Sequence, residues 1–109
     1  MEISKNCIDA CLICVANCER CITDCIENGN KDCIFLCRDC ADICSICARF
    51  EARGSRFSAD LHALCAKICK ECAIECAKHA SHHTSCKECA EACKKCATLC
   101  EEHASAKAK

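Results

Sequence analysis

Twenty of the 109 residues are cysteine, and their spacing suits metal chemistry. They stand at Cys7, Cys11, Cys14, Cys18, Cys21 and Cys25; at Cys33, Cys37, Cys40, Cys44 and Cys47; at Cys65, Cys69, Cys72 and Cys76; and at Cys86, Cys89, Cys93, Cys96 and Cys100. Within each group the steps alternate between three and four residues without exception. That is the a/d spacing of a helix seam, with a mean period of about 3.5 residues. A strand alternates with period two and cannot hold these residues on a single face.

Three roles for such a seam compete. A small hydrophobic core is the bland one, because buried thiols behave as small apolar groups. Cysteine at every a and d position would fill a bundle poorly, where larger side chains are the usual choice. A disulfide framework is the second. Helical neighbours three or four residues apart have Cβ atoms about 5–6 Å apart, whereas a disulfide needs about 3.5–4.5 Å. Metal binding fits best. Nine Cys-x3-Cys pairs can be read without overlap, leaving only Cys47 and Cys86. Two sulfurs facing each other across one ion stand about 4.6 Å apart, taking the zinc–thiolate bond as a guide. Thiols on adjacent helical turns can meet that span.

Softness and charge narrow the metal. All-thiolate surroundings select copper(I), zinc or iron–sulfur clusters. The ferredoxin-type run ending in Cys-Pro is absent, as the chain has no Pro. A four-thiolate zinc site carries a charge of about -2, so roughly five such sites would bury about -10. Copper(I) accepts two or three thiolates that bridge between ions, and one ion per thiolate leaves the axis neutral. Uncompensated buried charge is strongly unfavourable. The expectation is multiple copper(I) ions per chain, roughly 20, with zinc the close rival.

The elements that must carry these thiols follow from the groups. Expected helices run 4–27, 31–53, 56–79 and 83–103. Gly29 reads as the residue just past the first helix and Asn30 as the next N-cap. Gly54 and Ser55 repeat the pattern, with Ser55 or Ser58 as cap. Ser85-x-x-Glu88 reads as a capping box, although Ser81 offers an earlier start. Short loops make neighbouring helices antiparallel. The expected fold is all-α, an up-down-up-down four-helix bundle with a Cys-lined core, in a single domain over 1–103. The tail 104–109 is expected to fray. Position e of the heptad holds Ile8, Val15, Ile22 and Ile34, then Ala41, Ala48, Ala66, Ala73, Ala90 and Ala97. Charged residues such as Glu19, Arg20, Lys70 and Lys94 fall away from the seam.

Composition excludes several classes. There are 20 apolar residues larger than Ala and Cys, too few for an ordinary core. The net charge of -1 gives no basic surplus for nucleic acid or an anionic membrane. No apolar run approaches membrane-spanning length. Met1-Glu2-Ile3-Ser4-Lys5-Asn6 has no apolar signal region, so a cytoplasmic location is expected, where thiols stay reduced. Cys-x2-Cys pairs such as Cys11/Cys14 raise thiol–disulfide exchange, but they lie mid-helix, whereas that chemistry needs an exposed, low-pKa thiolate. No catalytic set of residues stands out, and no enzyme activity is expected.

Histidine extends the seam. His62 falls at a, three residues before Cys65; His103 falls at d, three after Cys100; His79 falls at d, three after Cys76. His82 joins them if the fourth helix starts early. In an up-down-up-down bundle His62 and His103 share one end with Cys7 and Cys47, while His79, His82 and His83 share the other. They are either polar caps or exchangeable terminal ligands, weaker and more pH-sensitive than thiolate. The His62/His103 end is favoured for metal uptake. The first helix also carries Ile8, Leu12, Val15, Ile22 and Ile26, which flank the core or meet another subunit.

Taken together, the chain resembles the cytosolic copper storage proteins. The resemblance spans residues 4–103 and rests on the four Cys runs, their order, the missing export signal and the His-rich third loop. Stretches such as Cys40-Ala41-Asp42-Ile43-Cys44 and Cys65-Ala66-Lys67-Ile68-Cys69 carry it. It implies many copper(I) ions held by core thiolates, and a homotetramer of bundles.

Overall fold

The computed structural model describes residues 2–108, with the side-chain surroundings of residues 5–105. Four helices follow one another: α1 (Glu2–Asn28), α2 (Lys31–Ala52), α3 (Ser58–Ala77) and α4 (Thr84–Ala108). They form a rod of 42 × 19 × 18 Å. Each helix packs on its two ring neighbours, α1 on α2 and α4, and α3 on α2 and α4. This is the expected antiparallel bundle. Among the described residues, no helix is long and apolar enough to cross a membrane.

The helix ends obey local chemistry, but not always the chemistry expected. Gly29 and Gly54 have φ of 74° and 66°, a left-handed conformation that glycine adopts without a Cβ penalty. After α2 the turn is a full Schellman motif: Gly54 N–H donates to the Glu51 carbonyl at 3.1 Å and Ser55 N–H to the Phe50 carbonyl at 3.0 Å. Asn30 does occupy the N-cap of α2, but its side chain makes no capping bond. Phe57, not Ser55 or Ser58, takes the N-cap of α3, and Ser55 Oγ accepts the Phe57 N–H at 3.1 Å. The capping box at Ser85 does not form. The helix already begins at Thr84, so Ser85 lies inside the first turn, buried, with its Oγ unbonded.

α4 continues past the expected end at residue 103 as far as Ala108. Ala104-Ser105-Ala106-Lys107-Ala108 contains no Gly or Pro to stop a helix. Lys109, the last residue of the tail, lies outside the described residues.

The core is sulfur edged with methyl groups. All twenty thiols are 0–1% exposed. Buried beside them are Ala10, Ala41, Ala48, Ala66 and Ala97, and one large aliphatic residue, Ile43. Of the flank, Ile8, Val15, Ile22 and Ile34 pack half-buried against this core, as do Ala73 and Ala90. Leu12 and Ile26, one heptad position on from the seam, are 52% and 65% exposed.

Candidate metal centre

Helix geometry builds the site in two stages. Within a helix, residues four apart stack on one face. Eight of the nine Cys-x3-Cys pairs accordingly place their sulfurs 3.8–4.0 Å apart. That is shorter than the span expected for a straight two-coordinate ion. With metal–sulfur bonds of about 2.3 Å, it gives an S–metal–S angle of about 110–120°. A third ligand therefore belongs in each pair.

The neighbouring helices supply it. Cys14 Sγ lies 3.6 Å from Cys40 and 3.6 Å from Cys93, which are themselves 3.7 Å apart. The centre of that triangle is about 2.1 Å from each sulfur, close to a metal–thiolate bond. Similar triangles recur along the axis. Cys21, Cys25 and Cys86 are separated by 3.8, 4.0 and 3.7 Å. Cys44, Cys65 and Cys69 are separated by 3.6, 3.8 and 3.6 Å, and Cys33, Cys37 and Cys76 by 4.0, 3.7 and 3.6 Å. Triangles share corners and edges: Cys14 and Cys93 also close one with Cys18, at 4.0 and 3.9 Å. Sets of four, such as Cys14, Cys18, Cys40 and Cys93, keep all sulfurs within 4.8 Å of one another. All twenty thiols are free. Their sulfurs approach no closer than 3.5 Å, far beyond the disulfide length of about 2.05 Å.

Among the described residues, no Lys or Arg is buried beside this array. The buried charged and polar side chains are Glu51, Ser58, His62, Ser85 and His103. Three of them meet at one end. His62 Nδ1 sits 3.3 Å from Cys7 Sγ, 3.1 Å from Cys47 and 3.5 Å from Cys100. Its Nε2 is 3.0 Å from Glu51 Oε1, and His103 Nε2 is 3.0 Å from the same oxygen. The two imidazole rings lie 4.3 Å apart between centroids.

The other end is built differently. His79 Nε2 pairs with Glu75 at 3.2 Å, and His83 Nδ1 lies 3.3 Å from the Asn28 side-chain amide. His82 is exposed. The expected pairing of His62 and His103 with Cys7 and Cys47 is thus made for His62 and, through Glu51, for His103. His79 turns instead to Glu75, four residues back in the last turn of α3.

Protonation differs from one thiol to the next. Burial raises the Cys25 thiol to about 12 and pushes Cys86 up as well. Hydrogen bonds from neighbouring thiols, Cys100 foremost, bring Cys47 down to about 7 and Cys96 to about 6. Burial opposes a charged His62, but its contacts with Cys47 and Glu51 outweigh this and raise its pKa. Thiolate is the metal ligand, and both ends mix raised and lowered thiols: Cys11 and other neighbouring thiols push Cys100 up beside His62, while Cys21 and Cys37 bring Cys33 down at the other end.

Glu51 escaped the sequence reading. Its signal was present: Cys47 is a d position, so Glu51, four residues on, is the next a.

A family model described as copper storage protein matches residues 1–105. The chain belongs to the copper storage protein family. Copper storage protein 3 from Bacillus subtilis, solved in its apo form, is 42% identical with a TM-score of 0.87, covering 93% of this chain and 98% of that one. The Cu(I)-bound copper storage protein BsCsp3 matches at 40% identity and a TM-score of 0.87, over 92% of this chain and 96% of that one. A cytosolic copper storage protein from Streptomyces lividans, solved with five coppers, is 34% identical with a TM-score of 0.88, over 93% and 91% of the two chains. By sequence, the cysteine-rich protein YhjQ of Bacillus subtilis (strain 168) is 40% identical over 86 residues, 75% of this chain and 80% of that protein.

Proposed function

We propose that this copper storage family member holds copper(I) at high capacity, with the core thiols as ligands and no catalytic role. The observation that carries this reading is the continuous set of edge-sharing sulfur triangles. Three-coordinate bridging suits a soft monovalent ion, and one copper per thiolate keeps a core without basic side chains neutral. Metal ligands are all twenty cysteines, with His62 and His103 as terminal ligands where copper is admitted.

Zinc is the second reading, because the four-sulfur sets also suit a tetrahedral ion. Filling the axis with such sites would bury about two negative charges at each, with only the two imidazoles near enough to offset them. Thiol–disulfide exchange fits less well, since every Cys-x2-Cys pair is shut away from solvent. The protein works in the cytosol, the compartment of the Streptomyces relative, and assembles as a homotetramer, as the family resemblance implies. Leu12, Ile13 and Ile26 leave apolar surface on α1 for a subunit contact.

Anaerobic titration of the reduced protein with copper(I) and with zinc(II), read by mass spectrometry and chelator competition, tests the function. Saturation near one copper per cysteine, with copper displacing zinc, is expected. Saturation at about five zinc ions that copper does not move would make the protein a zinc reservoir. Replacing His62 and His103 with Ala should slow copper loading while leaving most of the capacity. An unchanged rate would remove this end as the point of admission.

A further inference from the structure

Glu51 is out of place by local rules. It sits in the last turn of α2, where the negative end of the helix dipole disfavours a carboxylate. It is also only 6% exposed, and burying a charge is unfavourable unless it is paired. Both penalties are offset by one arrangement. Glu51 Oε1 lies 3.0 Å from His62 Nε2 and 3.0 Å from His103 Nε2. A carboxylate accepts hydrogen bonds and cannot donate them when ionised. The His62 ring, hydrogen-bonded to it, must therefore carry its hydrogen on Nε2.

The consequence lies on the far side of the His62 ring. With Nε2 occupied, Nδ1 is the nitrogen able to offer a lone pair. It faces Cys7, Cys47 and Cys100 at 3.3, 3.1 and 3.5 Å. A nitrogen and a sulfur bound to one ion at about 2.0 and 2.3 Å, at angles near tetrahedral, are about 3.5 Å apart. The ring is already aimed where an ion bound to those sulfurs would need it. Were the hydrogen on Nδ1 instead, this edge of the ring would donate to sulfur and repel a cation.

Resting on the copper-storage reading, we propose that Glu51 is a positioning residue. Its carboxylate fixes the tautomer of His62, and so directs His62 Nδ1 at the copper(I) ion held by Cys7, Cys47 and Cys100. Glu51 does not touch the ion; it acts through the ring, as carboxylates behind metal-bound histidines do in general. The Schellman turn at Gly54 fixes the end of α2 and returns the chain, bringing Glu51 and His62, eleven residues apart in sequence, side by side.

The apo protein reports the tautomer without copper. Long-range proton–nitrogen NMR correlations of the imidazoles, recorded where the rings are neutral, should show hydrogen on Nε2 for His62. Hydrogen on Nδ1 of His62 in the wild type would overturn the assignment, with no variant required. In Glu51→Leu, His62 should shift toward the Nδ1–H tautomer, and copper(I) affinity at this end should fall about 10- to 100-fold. Glu51→Gln, whose amide oxygen still accepts, should restore both. A folded Glu51→Leu protein with wild-type tautomer and affinity would overturn the assignment. So would a Glu51→Gln protein that loses the tautomer, for then the hydrogen bond would not be the cause. If the tautomer pattern holds but neither wild type nor variant binds copper, the storage reading falls while the ring positioning stands.

Discussion

Cys14 and Cys7 show how unequal identical side chains can be. The sulfur of Cys14 has partners on α2 and α4 and belongs to two triangles. Cys7, at the end of the axis, meets Cys100 at 3.6 Å and His62 at 3.3 Å. Cys14→Ser should therefore remove more than a single copper per chain and Cys7→Ser no more than one, counted by titration under a competing chelator. Equal losses would mean that the ions do not bridge. Each serine also buries a hydroxyl, and where no partner is found the apo bundle loses about 1–3 kcal/mol in a denaturant melt. His62 carries a second residue-scale expectation. Its folded pKa stands above the unfolded value, so its contribution to stability is complete below about pH 6.5. That contribution is lost as pH rises through the raised folded value. Urea melts of the apo protein across this window should show wild type losing stability relative to Glu51→Gln, in which the carboxylate's share of the shift is gone. Parallel curves would remove Glu51 as a cause.

At the scale of elements, the helices serve as racks and the loops set their ends. The three-and-four spacing fixes which face of each helix is sulfur. Lys70–Glu101, Lys78–Glu75 and Arg20–Glu88 are exposed ion pairs on the outside and add little. Gly29 and Gly54 matter more, because both hold a left-handed φ. A Cβ at either meets nothing within 4 Å, so the penalty is conformational and not a clash. Gly29→Ala should lower the stability of the apo bundle by about 1–2 kcal/mol, read by thermal melting. Its copper capacity should stay at the wild-type value, because the turn lies outside the sulfur axis. A fall in capacity would show that the turn sets the register of the thiols.

The whole molecule is a sulfur-filled rod with two unlike ends. At one end imidazoles and a carboxylate close the axis. At the other, burial pushes the Cys25 and Cys86 thiols up, and histidines turn to Glu75 and Asn28. The outer surface of α1 exposes Leu12 and Ile26. Replacing both with Glu should lower the oligomer mass in light scattering without abolishing copper binding, since neither faces the axis. A persistent oligomer would place the contact on another face.

Local periodicity in the sequence was enough for the four helices, the sulfur face of each and the end at which every histidine lies. A 3.5-residue repeat is a property of one helix, readable without its neighbours. The same repeat placed Glu51 on the axis, although a carboxylate does not look like a core residue until the histidines opposite it are seen. Which sulfurs form triangles was not legible, because it depends on the stagger between helices and on side-chain rotamers. Nor was the choice of His79 for Glu75, or the failure of Ser85 to cap, since each is a competition among partners that only the packed bundle brings within reach. The sequence determined a thiol on every a and d position within the four Cys runs; tertiary packing turned these into three-sulfur sites and gave the rod its direction.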